Sequence, residues 1–162
     1  MADRTTPKIY ERRPSAGRDA FPIANTVTLA PGTLVGLAAG YANHWDNGAA
    51  TVFVGIAIAG DNIATAATSD QSTWLGDTSL TPDPEVHVDT SGTTLMHLAS
   101  VAGTPTQAKV GDLIFATSSD PEDITLTSTT SHPIGWMVRF RSATDVDVRL
   151  FTASEALAQL TA

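Results

Sequence analysis

The fold is decided by residues 132–152, "HPIGWMVRFRSATDVDVRLFT". Apolar and polar side chains alternate in two runs on either side of Ser142–Thr144, the pattern of an antiparallel β-hairpin with one face buried. In the first run Ile134, Trp136, Val138 and Phe140 fall on one face, and Met137, Arg139 and Arg141 on the other. In the second, Val146, Val148 and Leu150 alternate with Asp145, Asp147, Arg149 and Phe151. A slip of one residue inverts a whole face, so apolar must meet apolar. A loop over Ser142–Thr144 does this, setting Phe140 opposite Val146, Val138 opposite Val148 and Trp136 opposite Leu150. On the outer face it sets Arg141 opposite Asp145 and Arg139 opposite Asp147, pairs that stabilise by roughly 0.2–1 kcal/mol each. Arg149 then faces Met137 and has no partner, which leaves it as a lone surface charge or a contact across a subunit boundary.

The rest of the chain repeats this grammar. Thr is frequent, with 24 residues among 162, and suits a pleated, half-exposed surface. "YANHWDNGAATVFVGIAIAG" (41–60) carries Asn47-Gly48, which supplies the two positive-φ positions of a type I′ turn and predicts a hairpin. "TVFVGIAIA" is continuously apolar and predicts a central strand buried on both faces, with Gly55 marking a bulge or a close backbone approach. "PEVHVDTSGTTLMHLAS" predicts a second hairpin about Ser91-Gly92. Residues 61–84 read as a long loop. Only "SEALAQLTA" is helical in pattern, with Ser154 as its N-cap. Short strands with turns every 8–12 residues predict an all-β fold, a small β-barrel or β-sandwich.

Three parts follow: a basic, Pro-interrupted N-terminal arm over 1–20, a β-structured body over 21–153, and a short C-terminal helix or tail over 154–162. Residues 1–19 hold five basic and three acidic groups, whereas 20–162 hold four basic and fourteen acidic ones. A body so acidic repels phosphate, which argues against direct nucleic-acid binding. Only 16% of residues are charged, fewer than is usual for a soluble surface, which points to a surface partly covered by partners. There is no cysteine, no apolar run long enough for a membrane helix, and no apolar core at the N-terminus of the kind a signal peptide has.

Candidate chemistry is sparse. Glu85, His87 and Asp89 share one face of a strand, with Val86 and Val88 on the other. A strand spreads such side chains by ~7 Å per two residues, too far for three ligands on one ion without a bend; only His97, on a strand expected to lie alongside, favours a metal. "HWD" (44–46) offers a His–Asp pair for a hydrolase, as His132 offers a second histidine, but no G-x-S-x-G elbow accompanies them. Trp45 and Trp74 are the aromatics that a glycan-binding platform would use. The sequence therefore assigns no catalytic residue, no metal and no cofactor.

"PEVHVDTSG", "VGDLIFATS" and "PIGWMVRFRSATDVDVRLF" together resemble the small β-structured head decoration, or capsid cement, proteins of tailed bacteriophages. The similarity spans roughly residues 22–152. The shared elements are a Gly-Asp turn into a strand, a Pro-Ile-Gly strand and a final strand ending Val-Arg-Leu. The resemblance implies a non-enzymatic virion protein, made in the host cytoplasm and bound on the outer capsid surface. There it bridges subunits of the major capsid protein, often as a homotrimer. On that reading Arg4, Lys8, Arg12, Arg13 and Arg18 of the arm meet acidic capsid surface, with Ile9, Tyr10 and Phe21 as apolar anchors, and Arg149 is a further partner contact. The alternative is a head-fibre or glycan-binding β-module on a virion surface.

Overall fold

The structure is a computed structural model, and it describes residues 12–13, 17–45, 50, 52–60, 73–98, 101–128 and 132–160. It is all-β with one short C-terminal helix. The strands are β1 (Arg12–Arg13), β2 (Arg18–Pro22), β3 (Thr28–Leu29), β4 (Leu34–Ala38), β5 (Tyr41–His44) and β6 (Val52–Gly60). They continue with β7 (Trp74–Leu75), β8 (Glu85–Asp89), β9 (Thr94–Leu98), β10 (Leu113–Ala116), β11 (Ile124–Thr125), β12 (Gly135–Ser142) and β13 (Asp145–Leu150). A 3₁₀ turn, Gln107–Lys109, precedes β10, and α1 (Ala153–Leu160) is the last described element.

Two sheets carry the fold. One has the order β2-β8-β6-β4-β5, the other β1-β9-β13-β12-β10-β11. The first curls until its edges meet: Ile23, just past β2, bridges Ala42 of β5, and Ala24 N donates to Ala42 O at 3.0 Å. The five strands thus curl into a half-barrel whose two edge strands touch at this bridge. Ile23, Val35, Ala42, Val54, Ala57, Val86 and Val88 fill it, and the β3–β7 pair brings Leu29 and Trp74 into the same cluster. The outer barrel face contributes Leu34, Trp45, Phe53 and Ile56 to a larger core. There they meet Leu95, Leu98, Ile114, Met137, Val146, Val148 and Leu150 of the six-stranded sheet. Each such side chain contributes about 1.5–3 kcal/mol by leaving water.

At β6 the barrel wall therefore faces an apolar core on both sides, which is why β6 reads as an unbroken apolar run. Its periodicity is broken as well. Val35 lies opposite Gly55 but Gly36 opposite Phe53, so Val54 is an extra residue. This bulge turns Phe53 and Ile56 to the outer core and Val54 and Ala57 to the barrel interior. Gly55, with φ 147, sits at the bulge as the sequence predicts.

Two expected hairpins are not formed. The strands flanking Asn47-Gly48 are not partners, because β4 lies between β5 and β6; the turn itself (46–49) is outside the described residues. The tight two-residue turn instead joins β4 to β5, where Ala38 pairs Tyr41 and both Ala39 (φ 51) and Gly40 (φ 86) take positive φ. Likewise β8 and β9 lie in different sheets, so Ser91-Gly92 is a crossover between layers. Asp89 shapes that crossover by accepting hydrogen bonds from Ser91 and Thr93.

The arm boundary also moves. Arg18 to Pro22 form a full edge strand against β8, with Arg18 opposite Asp89 and Phe21 opposite Val86, and Arg12 and Arg13 pair Leu95 and Thr94 of β9. Residues 12–13 and 18–20, expected in an arm ordered only by a partner, thus belong to the two sheets. Much of the expected 61–84 loop (61–72) lies outside the described residues; its later part supplies β7. The helix cap is Thr152 and not Ser154: Glu155 N donates to Thr152 Oγ1 (3.1 Å) and Thr152 N donates to Glu155 Oε2 (2.8 Å), a capping box. Replacing Thr152 with alanine is expected to cost about 1 kcal/mol and to lower the melting temperature by about 2–4 °C, measurable by calorimetry.

Candidate interaction surface

The closing hairpin forms, with a register altered by two bulges. Phe140 lies opposite Val146 and Arg139 opposite Asp147, as expected. Val138 and Arg141 have no opposite residue, so Ser142, and not Arg141, faces Asp145, across a turn at Ala143 and Thr144. Met137 replaces Val138 as the core residue facing Val148, fully buried, while Trp136 turns to the outer face opposite Arg149. A third bulge lies in β9, where Met96 and His97 together face Asp147, and His97 takes φ 55.

These irregularities converge on Asp147, which is 5% exposed. Its Oδ1 accepts from Arg141 Nε at 2.8 Å and from the His97 backbone N–H at 3.1 Å; its Oδ2 accepts from Arg141 Nη2 at 2.8 Å. The partnership with Asp147 that sequence spacing assigns to Arg139 is made by Arg141, the residue at the bulge, in two-pronged form. Asp145 interacts instead with His97 Nδ1 at 3.3 Å. Burial pushes the Asp147 carboxyl upward, but the Arg141 hydrogen bond, the His97 N–H and the nearby positive charge outweigh it and hold it below the ordinary value.

Arg149 is engaged within the chain. Its guanidinium lies 4.5 Å from the centroid of the Trp136 ring, and its Nη2 donates to both Glu155 carboxylate oxygens at 3.3 Å. Trp136 meets Phe151 edge-on. Arg149 thus fastens the first turn of α1 to the outer face of the sheet. Burial raises the Glu155 carboxyl, but hydrogen bonds from Thr152 and the charge of Arg149 leave it lowered overall.

With both carboxyls depressed in the folded state, their stabilisation is complete above the unfolded carboxylate values and is lost as pH falls through the lower folded values. The melting temperature is therefore expected to fall on acidification below about pH 4, through the ordinary carboxylate range. In thermal melts across pH 2–6, the D147N/E155Q double variant is expected to show a shallower fall than the wild type.

The other expected site residues are scattered. Arg4, Lys8, Ile9 and Tyr10 lie outside the described residues. Arg18 is exposed on the barrel edge, and Phe21 is half-buried against the barrel core. Glu85, His87 and Asp89 alternate with buried Val86 and Val88, but His97 sits in the other sheet, and among the described residues no three potential ligands converge on a metal position. His44 is buried: its Nε2 donates to Thr28 O at 2.9 Å, leaving Nδ1 to accept the Ser119 hydroxyl at 2.9 Å in the neutral ring. Ser119 is closed to solvent, so this pair ties the 117–123 loop to the barrel. Sequence reasoning missed it because 75 residues separate the partners. Trp45 and Trp74 are both buried, at 5% and 4% exposure.

An open hollow lies on the outer face of the six-stranded sheet. Thr94, Met96, Val138, Arg139 and Asp147 line a hollow of ≈ 350 Å³. Beside it the cross-strand row Leu113, Trp136, Arg149, Thr94 runs over four strands. Leu113 is 41% exposed and Val110, just before β10, 38%. No helix of the described residues is long and apolar enough to cross a membrane. Comparison with protein-family models, with curated proteins and with solved structures finds no match.

Proposed function

We propose that this chain is a virion structural protein. It binds the outer surface of a tailed-phage capsid as a homotrimer and stabilises the shell by bridging major capsid subunits. The observation that carries this reading is where the resembling segments fall. "VGDLIFATS" and "PIGWMVRFRSATDVDVRLF" form neighbouring strands β10, β12 and β13 of a single sheet whose outer face is open and partly apolar. A β-scaffold with an open face, carrying a basic N-terminal stretch in its sequence, suits binding across several shell subunits. The glycan-binding alternative loses its basis, since the two tryptophans that would form a platform are in the core.

Co-sedimentation with shells of the major capsid protein tests the proposal. The protein is expected to pellet with expanded shells and to remain in the supernatant with compact precursor shells. Equal behaviour with both, or no pelleting, overturns it. Deleting residues 2–11, which precede the first described strand, is expected to leave the melting temperature unchanged and to weaken shell binding about tenfold or more. Deleting residues 2–22 also removes β2 and is expected to open the barrel.

A further inference from the structure

The two N-terminal strands obey one register, although they edge different sheets. In β2, Pro22 lies opposite Glu85 and Arg18 opposite Asp89; in β1, Arg13 lies opposite Thr94 and Arg12 opposite Leu95. No residue is gained or lost between the two pairings, yet β2–β8 belongs to the five-stranded sheet and β1–β9 to the six-stranded one. Between them, the Thr90 N–H donates to Gly17 O at 3.3 Å in the same register. β1, Gly17 and β2 therefore form one strap along residues 85–95, at an edge of both layers. The strap is lightly held. Among the described strands of four or more residues, β2 alone contains no buried residue. Arg18, Asp19 and Ala20 are exposed, and Phe21 and Pro22 are half-buried. The next residue, Ile23, is fully buried and bridges Ala42, so the strap has a fixed root.

We infer that this strap is a stored form of the capsid-binding arm, lifting as a unit from its root at Ile23 when the shell binds. The inference rests on the reading of the chain as a capsid-binding protein and adds how its arm is held back and released. Lifting uncovers little apolar surface, so its cost lies mainly in backbone hydrogen bonds that water can replace. Charge supplies the trigger. Residues 1–19 hold five basic and three acidic groups, against four basic and fourteen acidic in 20–162. The acidic body attracts the segment, and an acidic shell surface competes for the same cations. A lifted strap adds the reach of residues 12–22, up to about 35–40 Å of extended chain.

The ladder shows where to test it. Ile23 N donates to Pro84 O at 2.9 Å and Thr90 N to Gly17 O, so the hydrogen-bonded positions between them are Phe21–Val86 and Asp19–Val88. The amides of Val86, Val88 and Thr90 are thus bonded to the strap. Ala20 and His87 form a non-hydrogen-bonded pair, close enough for a disulfide, and the chain has no cysteine of its own. In native-state hydrogen exchange of the wild type, those three amides are expected to exchange together, at least about tenfold faster than amides of β13. Exchange only at the rate of global unfolding overturns the strap. The full-length A20C/H87C chain is then compared with itself, oxidised and reduced. Oxidation is expected to slow the three amides about tenfold or more and to weaken co-sedimentation with expanded shells about tenfold or more. Oxidised and reduced chains that bind equally overturn the stored arm while leaving the capsid reading intact. A cysteine pair that forms no disulfide contradicts the register and overturns the strap itself. A wild-type chain that never pellets overturns the capsid reading and the role given to the strap, whereas the exchange result still decides whether it lifts.

Discussion

Replacing Asp147 with alanine is expected to destabilise the fold by about 3 kcal/mol, a large part of the stability of a domain this size. Three donor groups meet this one carboxylate: two nitrogens of Arg141 and the backbone N–H of His97. Removing it takes the two-pronged carboxylate from Arg141 and the acceptor from the His97 N–H, where β13 lies between two bulged strands, β9 and β12. Asp147→Asn separates charge from shape. The amide keeps one acceptor oxygen but turns a donor toward the guanidinium, so it is expected to retain only part of the loss. Arg141→Ala, which leaves a buried carboxylate unpaired, is expected to cost as much as Asp147→Ala. Because the two share one interaction, the double variant is expected to fall well short of the sum. Urea denaturation at pH 7 checks all four chains. An Asp147→Ala loss below about 1 kcal/mol would show that the bulges hold without the carboxylate.

How far the sequence foretold this junction depends on what alternation encodes. The period-2 pattern correctly predicts the closing hairpin and the Phe140–Val146 and Arg139–Asp147 cross-strand positions, and the unbroken apolar run of β6 predicts its central place. It fails at Trp136 and Met137, because both are apolar and either satisfies a buried position. A bulge at Val138 selects Met137, and nothing in the local pattern marks that bulge. The same bulges hand Asp147 to Arg141, so the charges were legible as register pins while their pairing was not. Arg149 was legible only as a leftover: its partner Glu155 lies in the helix, and Trp136 reaches it only in the shifted register. The Asn47-Gly48 and Ser91-Gly92 expectations fail for a topological reason. A turn signal reports local backbone preference, whereas β4 between β5 and β6, and the split of β8 and β9 between sheets, follow from closing a barrel on one side of a shared core. Of the candidate surface, composition signalled missing surface charge, but the hollow requires Met96 and Val138 to be brought together from strands about forty residues apart in sequence.

Gly55→Ala is expected to be more damaging still, at about 4 kcal/mol or more, with the chain failing to give a cooperative urea transition at 25 °C. Two costs add. The φ of 147 lies where L side chains rarely sit, and a Cβ built there stands 2.0 Å from the carbonyl oxygen of Asp89 in the neighbouring strand β8. Relief would require β6 and β8 to part, yet Ile56 pairs Asp89 and Ala57 pairs Val88 immediately beside the collision, and both strands have residues packed in the barrel core. Backbone against backbone offers no rotamer to turn aside. Gly40→Ala isolates the conformational cost. Gly40 also has positive φ (86), in the β4–β5 turn, but nothing lies within 4 Å of the added Cβ, so only about 1 kcal/mol is expected. A large difference between the two variants assigns the damage at Gly55 to the closeness of β6 and β8, the contact that lets a nine-residue strand bend at its bulge and serve the barrel interior and the outer core at once. Similar losses at both positions would mean that the positive φ alone makes glycine necessary there.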